Sequence, residues 1–180
     1  MNNSTVDIVA MLGNLSRSLF PVQRLITGFA YLLGILFFIT AIAKLKKIGQ
    51  SAGRSNEKLF VPIAFLLGGA ALLFLPSAVV SLSTTAFGTG NILRYANYNP
   101  YDIYSSMGLI IQTAGLLWFV RGCVLLVNAS QPGVKHGPKG LAFLCAGVLA
   151  MNFESTGAFL NYVMGGLENL TMTIKNSQGF

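Results

Sequence analysis

The sequence predicts an all-α integral membrane protein with about four transmembrane helices, arranged as two tandem helical hairpins behind an amphipathic N-terminal helix. Three observations predict it. Of the 180 residues, 53% are hydrophobic and only 9% are charged, against about 25% charged in a soluble domain. The apolar residues gather into four blocks instead of spreading as one core would require, which makes lipid the expected solvent. The basic residues lie beside or between those blocks, where membrane topology uses them.

Residues 1–24 are read as the N-terminal amphipathic helix. Ile8, Met11, Leu12, Leu15, Leu19 and Val22 recur at spacings of three and four, marking one helical face. Ser4 and Asp7 form an N-cap pair, and Pro21 is expected to break or kink the helix. The segment is expected to lie in the membrane interface, with an internal docking helix as the alternative.

Residues 25–82 form the first expected hairpin. Its first span covers residues 25–43, nineteen uncharged positions between Arg24 and Lys44. At about 1.5 Å per residue this fits a hydrocarbon core of roughly 30 Å. The loop 44–58 carries Lys44, Lys46, Lys47, Arg54 and Lys58. The second span starts at Leu59. Pro62 is tolerated in its first turn, and Pro76 is expected to end or bend it. Residues 83–102 are the expected outer connecting loop.

Residues 103–167 form the second expected hairpin, with a loop at 128–139 holding Lys135 and Lys139. The fourth block meets Asn152 and Glu154; beyond them, Phe159 to Met164 either complete the span or lie along the interface. Residues 168–180 are expected to be a polar, mobile tail. Seven basic residues in the two hairpin loops, against Arg17, Arg24, Arg94 and Lys175, put those loops in the cytoplasm and both termini outside. The first block is expected to act as an uncleaved insertion signal, because residues 1–20 lack a basic n-region and a cleavage site.

The two halves echo each other. At an offset of 78, Ala64-Phe65-Leu66 recurs as Ala142-Phe143-Leu144, Gly69 meets Gly147 and Ser77 meets Ser155. At an offset of 81, residues 33–38 align with 114–119. A duplication of this kind gives two halves of the same orientation.

No catalytic, cofactor-binding or metal-binding residue is assigned. His136 is the single histidine and reads as a solvated loop residue. The five acidic residues, Asp7, Glu57, Asp102, Glu154 and Glu168, make no clustered pair for acid–base work. Cys123 and Cys145 lie in apolar blocks and read as small buried hydrophobes. The net charge of +7 is explained by topology, so direct nucleic-acid binding is not expected. Arg121 and Glu154 stand out, since an ionisable group within a span costs about 2.5–3.5 kcal/mol on insertion scales. Either Arg121 snorkels inward and Glu154 caps its helix end, or both face neighbours in an assembly. Gly108, Gly115 and Gly122, seven residues apart, and Gly68-Gly69, Ala146-Gly147 and Ala150 suit close helix packing.

The run from Gly13 to Ile26 (GNLSRSLFPVQRLI), followed by an apolar span and Lys44-Leu45-Lys46-Lys47-Ile48-Gly49, resembles the IcmC/DotE family. These are small inner-membrane components of Dot/Icm (type IVB) secretion systems, with relatives in conjugative transfer. The likeness is residue-specific over 13–49. It implies a non-catalytic structural subunit of an export apparatus in the bacterial inner membrane, a homo- or hetero-oligomer with other secretion-system membrane subunits. Each half also looks like the two-helix hairpin of conjugative pilins, a likeness of architecture alone. The rival class is an autonomous small transporter or channel. It would align polar residues through several spans, and Thr27, Thr40, Gln112, Thr113, Arg121, Asn152 and Glu154 are the candidates.

Overall fold

The computed structural model describes residues 3–50, 59–88 and 102–177, with side chains described from Ile8 to Lys175. The expectations for Arg54, Lys58, Arg94 and most of the outer loop therefore lie outside the described residues. Among the described residues every element is a helix: α1 (Asn3–Gln50), α2 (Phe60–Leu73), α3 (Leu75–Phe87), α4 (Ile103–Ala129), α5 (Gly137–Met151) and α6 (Phe153–Ser177). The region around α1 and α4 contains two helices long and apolar enough to cross a membrane, Ile8–Gln50 and Ile103–Ala129. The number rises to four if each bent pair, α2 with α3 and α5 with α6, is counted as one span.

Three sequence expectations are corrected. There is no break at Pro21 or at residue 24, because α1 is one 48-residue helix that contains Pro21. Pro21 and Arg17 are both exposed, so the bond that a proline at 21 cannot donate to the Arg17 carbonyl is missing on the outer side of the helix, away from the core. The stretch from Glu168 onward is not a loose tail, since α6 continues to Ser177. Cys145 is exposed while Cys123 is buried, so only one of the two is a core residue.

The halves repeat each other in three dimensions. Each consists of a long helix (α1 or α4) packed against a short one (α2 or α5), followed by a sharp turn into a third. The turns are of 98° between α2 and α3 and 97° between α5 and α6. They fall at Phe74 (φ −104°, ψ 39°) and Asn152 (φ −107°, ψ 45°), positions related by the offset of 78. The flanking hydrogen bonds correspond as well. Phe74 N donates to Ala70 O at 2.9 Å, and Asn152 N donates to Val148 O at 3.1 Å.

The chemistry that makes the two bends differs. In the first half, a helix continued through Pro76 would set its ring against the Leu72 carbonyl, at a cost of about 3 kcal/mol. The chain turns two residues earlier and uses Pro76 in the first turn of α3. The second half has Glu154 at that place. There Asn152 Nδ2 donates to Val148 O at 2.8 Å, so a side chain occupies the acceptor that holds the last turn of α5.

Glycines set the closeness of each hairpin. A Cβ on Gly34 would stand 2.9 Å from Gly69 O and Leu73 N; one on Gly115 would stand 2.9 Å from Gly147 O and Met151 N. These are equivalent contacts, made by helices whose backbones touch as small-residue faces allow. Of the seven-residue glycine series, Gly115 and Gly122 thus pack within the chain, whereas Gly108 faces open space. One core cluster, with Ile26, Leu72, Val79, Phe119, Cys123 and Met151, joins the halves. A second holds Ala41, Val61, Phe65 and Val127.

Candidate functional site

Polar side chains meet where the halves join. Helices α1 and α4 run parallel, because Ser16 meets Ser106 and Gln23 meets Thr113, both ninety residues apart. Gln23 Nε2 donates to Thr113 Oγ1 at 2.8 Å, and Thr113 Oγ1 donates onward to Leu109 O at 2.7 Å. Thr27 Oγ1, one turn below Gln23, donates to the Gln23 carbonyl at 2.9 Å. Ser16 is wholly buried and donates to Gly13 O at 2.9 Å.

Of these residues Gln23 and Thr27 line a cavity of about 100 Å³, with Gln112, Leu75, Pro76, Val79, Leu116 and Met151. The first turn of α3 forms one wall, so the bend at Phe74 is what closes the space. The lining supplies neutral amides and hydroxyls. Such groups hydrogen-bond and orient, but they exchange no proton near neutral pH. Two buried oxygens elsewhere, Ser83 Oγ on α3 and Asn152 Oδ1 at the second bend, have no partner among the described residues.

Of the seven polar residues considered for a pathway, the fold brings Thr27, Gln112 and Thr113 together. Gln23, which the sequence reading did not single out, completes the group. Its signal was available: it lies four residues before Thr27 on the same face. Thr40 is instead half-buried away from this group and donates its Oγ1 hydroxyl to Leu36 O at 2.7 Å. No ion pair joins Arg121 to Glu154. Arg121 lies over the Phe143 ring, 5.0 Å from its centroid. Glu154 sits in the first turn of α6, where a negative charge meets the positive helix end. It therefore starts a helix and does not cap the end of one.

The ring at Phe143 has a counterpart. Phe65, its equivalent in the first half, carries Lys44 at 5.6 Å. Each short helix thus receives a cation from the long helix beside it. A cation over an aromatic face is worth about 0.5–1 kcal/mol when exposed and roughly 2 when desolvated. Phe143→Leu should lower the unfolding midpoint in mild detergent by a few degrees at most. Phe143→Tyr should preserve it, and equal losses in both variants would show that packing, not the cation, matters.

His136 precedes α5 as an exposed residue, its carbonyl accepting from Gly140 N at 2.9 Å. Among the described residues no three His, Cys, Asp or Glu side chains converge as a metal site would need. The fold and the cavity define an all-helical chain of two like hairpins with two to four helices fit to cross a bilayer. No family model, no curated protein and no solved structure matches it.

Proposed function

We propose that this chain is a multi-pass bacterial inner-membrane protein that serves as a non-catalytic structural subunit of a type IVB secretion or conjugation apparatus. It helps form a multimeric assembly, or channel, for macromolecular export. The observation that carries this reading is the uncovered apolar stripe on the N-terminal third of α1. If Arg24 and Lys44 mark the two membrane boundaries, the helix rises about 30 Å from one to the other, one hydrocarbon thickness. The helix then continues outward from Arg24 to Asn3, beyond the lipid.

On that extension the chain's own contact uses the small and polar side, through Gly13 and Ser16, both buried. Of the apolar stripe, Ile8, Met11, Leu15 and Val22 face away, while Leu12 and Leu19 are half-buried. Ile8 is 55% exposed, Met11 71% and Leu15 53%. Burying such side chains is worth about 1.5–3 kcal/mol each, so a second protein is the fitting cover. Other membrane subunits of the apparatus are the proposed partners. The secretion context comes from the IcmC/DotE-like run at 13–49, all of which lies on α1. Neither a cofactor nor a nucleic-acid contact is part of the proposal.

Pulldown from membranes in gentle detergent, followed by mass spectrometry, tests the reading. Secretion subunits should co-purify, and a deletion strain should lose export. Normal export in that strain would overturn it. Orientation follows from the basic stretch 44–58, whose Lys44, Lys46 and Lys47 lie at the C-terminal end of α1; the positive-inside rule places it in the cytoplasm, with both termini periplasmic. A membrane-impermeant thiol reagent on intact cells should label Ser177→Cys and spare Ser51→Cys; the reverse pattern would invert the topology.

The cavity favours one alternative, an autonomous transporter or channel, since bends in two equivalent helices beside polar groups are a feature of transporter binding sites. Solute uptake by the purified monomer in liposomes would establish that reading in place of the first.

A further inference from the structure

We infer that α3 and α6 are interfacial helices that lie flat in the outer leaflet, α6 holding its apolar face on the acyl chains, and that neither completes a membrane span. This rests on the membrane placement proposed above. Three independent features point to it.

The first is direction. Helix α5 packs along α4 through Gly115, Gly122, Gly140 and Gly147, so it follows the membrane normal wherever α4 does. A turn of 97° then sets α6 in the membrane plane, and the turn of 98° does the same for α3.

The second is depth. Helices α2 and α5, of 14 and 15 residues, rise about 21–22 Å. An interfacial helix sinks its apolar face roughly 5–10 Å into the headgroup and acyl boundary. Together these account for a hydrocarbon core of roughly 30 Å. The level is marked independently, because the first turn of α3 lies against Gln23, Thr27 and Gln112. Gln23 and Thr27 lie beside Arg24, the outer boundary on α1.

The third is the pattern on α6 itself. Phe159, Leu160, Val163, Leu167, Leu170 and Ile174 fall on one arc, all exposed. Asn161, Glu168, Asn169 and Lys175 fall on the other side of the helix. An amphipathic helix of this kind suits the boundary between lipid and water and would be costly at the bilayer centre. The Phe87 ring at the end of α3 meets the Phe159 ring of α6, centroids 6.4 Å apart, so the two helices form one connected shelf.

The test uses full-length protein in proteoliposomes, with the single native tryptophan removed as Trp118→Phe. Tryptophan is then placed at one position at a time, by Leu167→Trp, Glu168→Trp or Leu36→Trp. Quenching is read with lipids brominated near the headgroup or near the chain end, and with aqueous iodide. Leu167→Trp should be quenched several-fold more by shallow than by deep bromine, while Glu168→Trp should respond mainly to iodide. Deep-bromine quenching of Leu167→Trp would make α6 part of a span and overturn the inference. Its insensitivity to both lipids would overturn it too, by leaving α6 off the membrane or covered by another copy of the chain. Leu36→Trp, on the first span, reports the membrane placement separately: it should be quenched by deep bromine. If it is not, the placement itself fails; if it is and Leu167→Trp is not quenched, only the shelf fails.

Discussion

Gly115→Leu should prevent the second hairpin from closing. Even a Cβ at this position would stand 2.9 Å from Gly147 O, Met151 N and Ala150 Cβ, and two of those three atoms are backbone. A side chain can rotate away from a clash, whereas a helix backbone can only translate. Overpacking costs about 1–3 kcal/mol where neighbours can give, and more where they cannot. The unfolding midpoint should fall by roughly 5–10 °C or more, and the purified protein should lose its monodisperse profile in gel filtration. Gly108→Leu, on the same helix and seven residues away, should do neither, because nothing stands within 4 Å of its position. A Gly115→Leu protein with an unchanged midpoint would show that α4 and α5 are not held this close.

Replacing Ile8, Met11 and Leu15 together by Asn should separate the protein from its partners while leaving the bundle folded. These three side chains are exposed, and the contact with α4 is made on the other side of α1 by Ser16 and Gln23. A change at these three exposed positions therefore leaves the buried contact through Ser16 in place. Partner recovery in the pulldown and export should each fall at least about tenfold, the factor that about 1.4 kcal/mol represents. The thermal midpoint should stay near that of the unaltered chain. Undiminished recovery and export would show that the stripe is not the surface through which the subunit assembles.

Much of the architecture was legible because membrane-compatible helices are written in local composition. Nineteen uncharged residues between Arg24 and Lys44 can hardly be anything but a long apolar helix. The internal echo was legible too, since its key positions are glycines: Gly34, Gly69, Gly115 and Gly147 make equivalent contacts in the two halves. Pro76 announced the first bend. The second bend was harder to read, because Asn152 turns the chain by competing for the Val148 carbonyl, and an asparagine in an apolar run carries no such obligatory signal.

The cavity was not legible at all. Gln23 and Thr113 are ninety residues apart, and only the parallel packing of α1 on α4 makes them partners. Pro21 was misleading for a related reason. A proline tells what hydrogen bond is lost, but whether the helix breaks depends on whether the freed carbonyl is buried, and that is set by neighbours. By itself, then, the sequence determined the helices, their apolar lengths and the paired glycines, because each depends on residues close in the chain. The tertiary structure alone decided which face of α1 is covered, how α3 and α6 turn away at nearly right angles, and which polar groups share a cavity. Those outcomes depend on which helix lies beside which, and distant contacts leave no periodic trace in either partner.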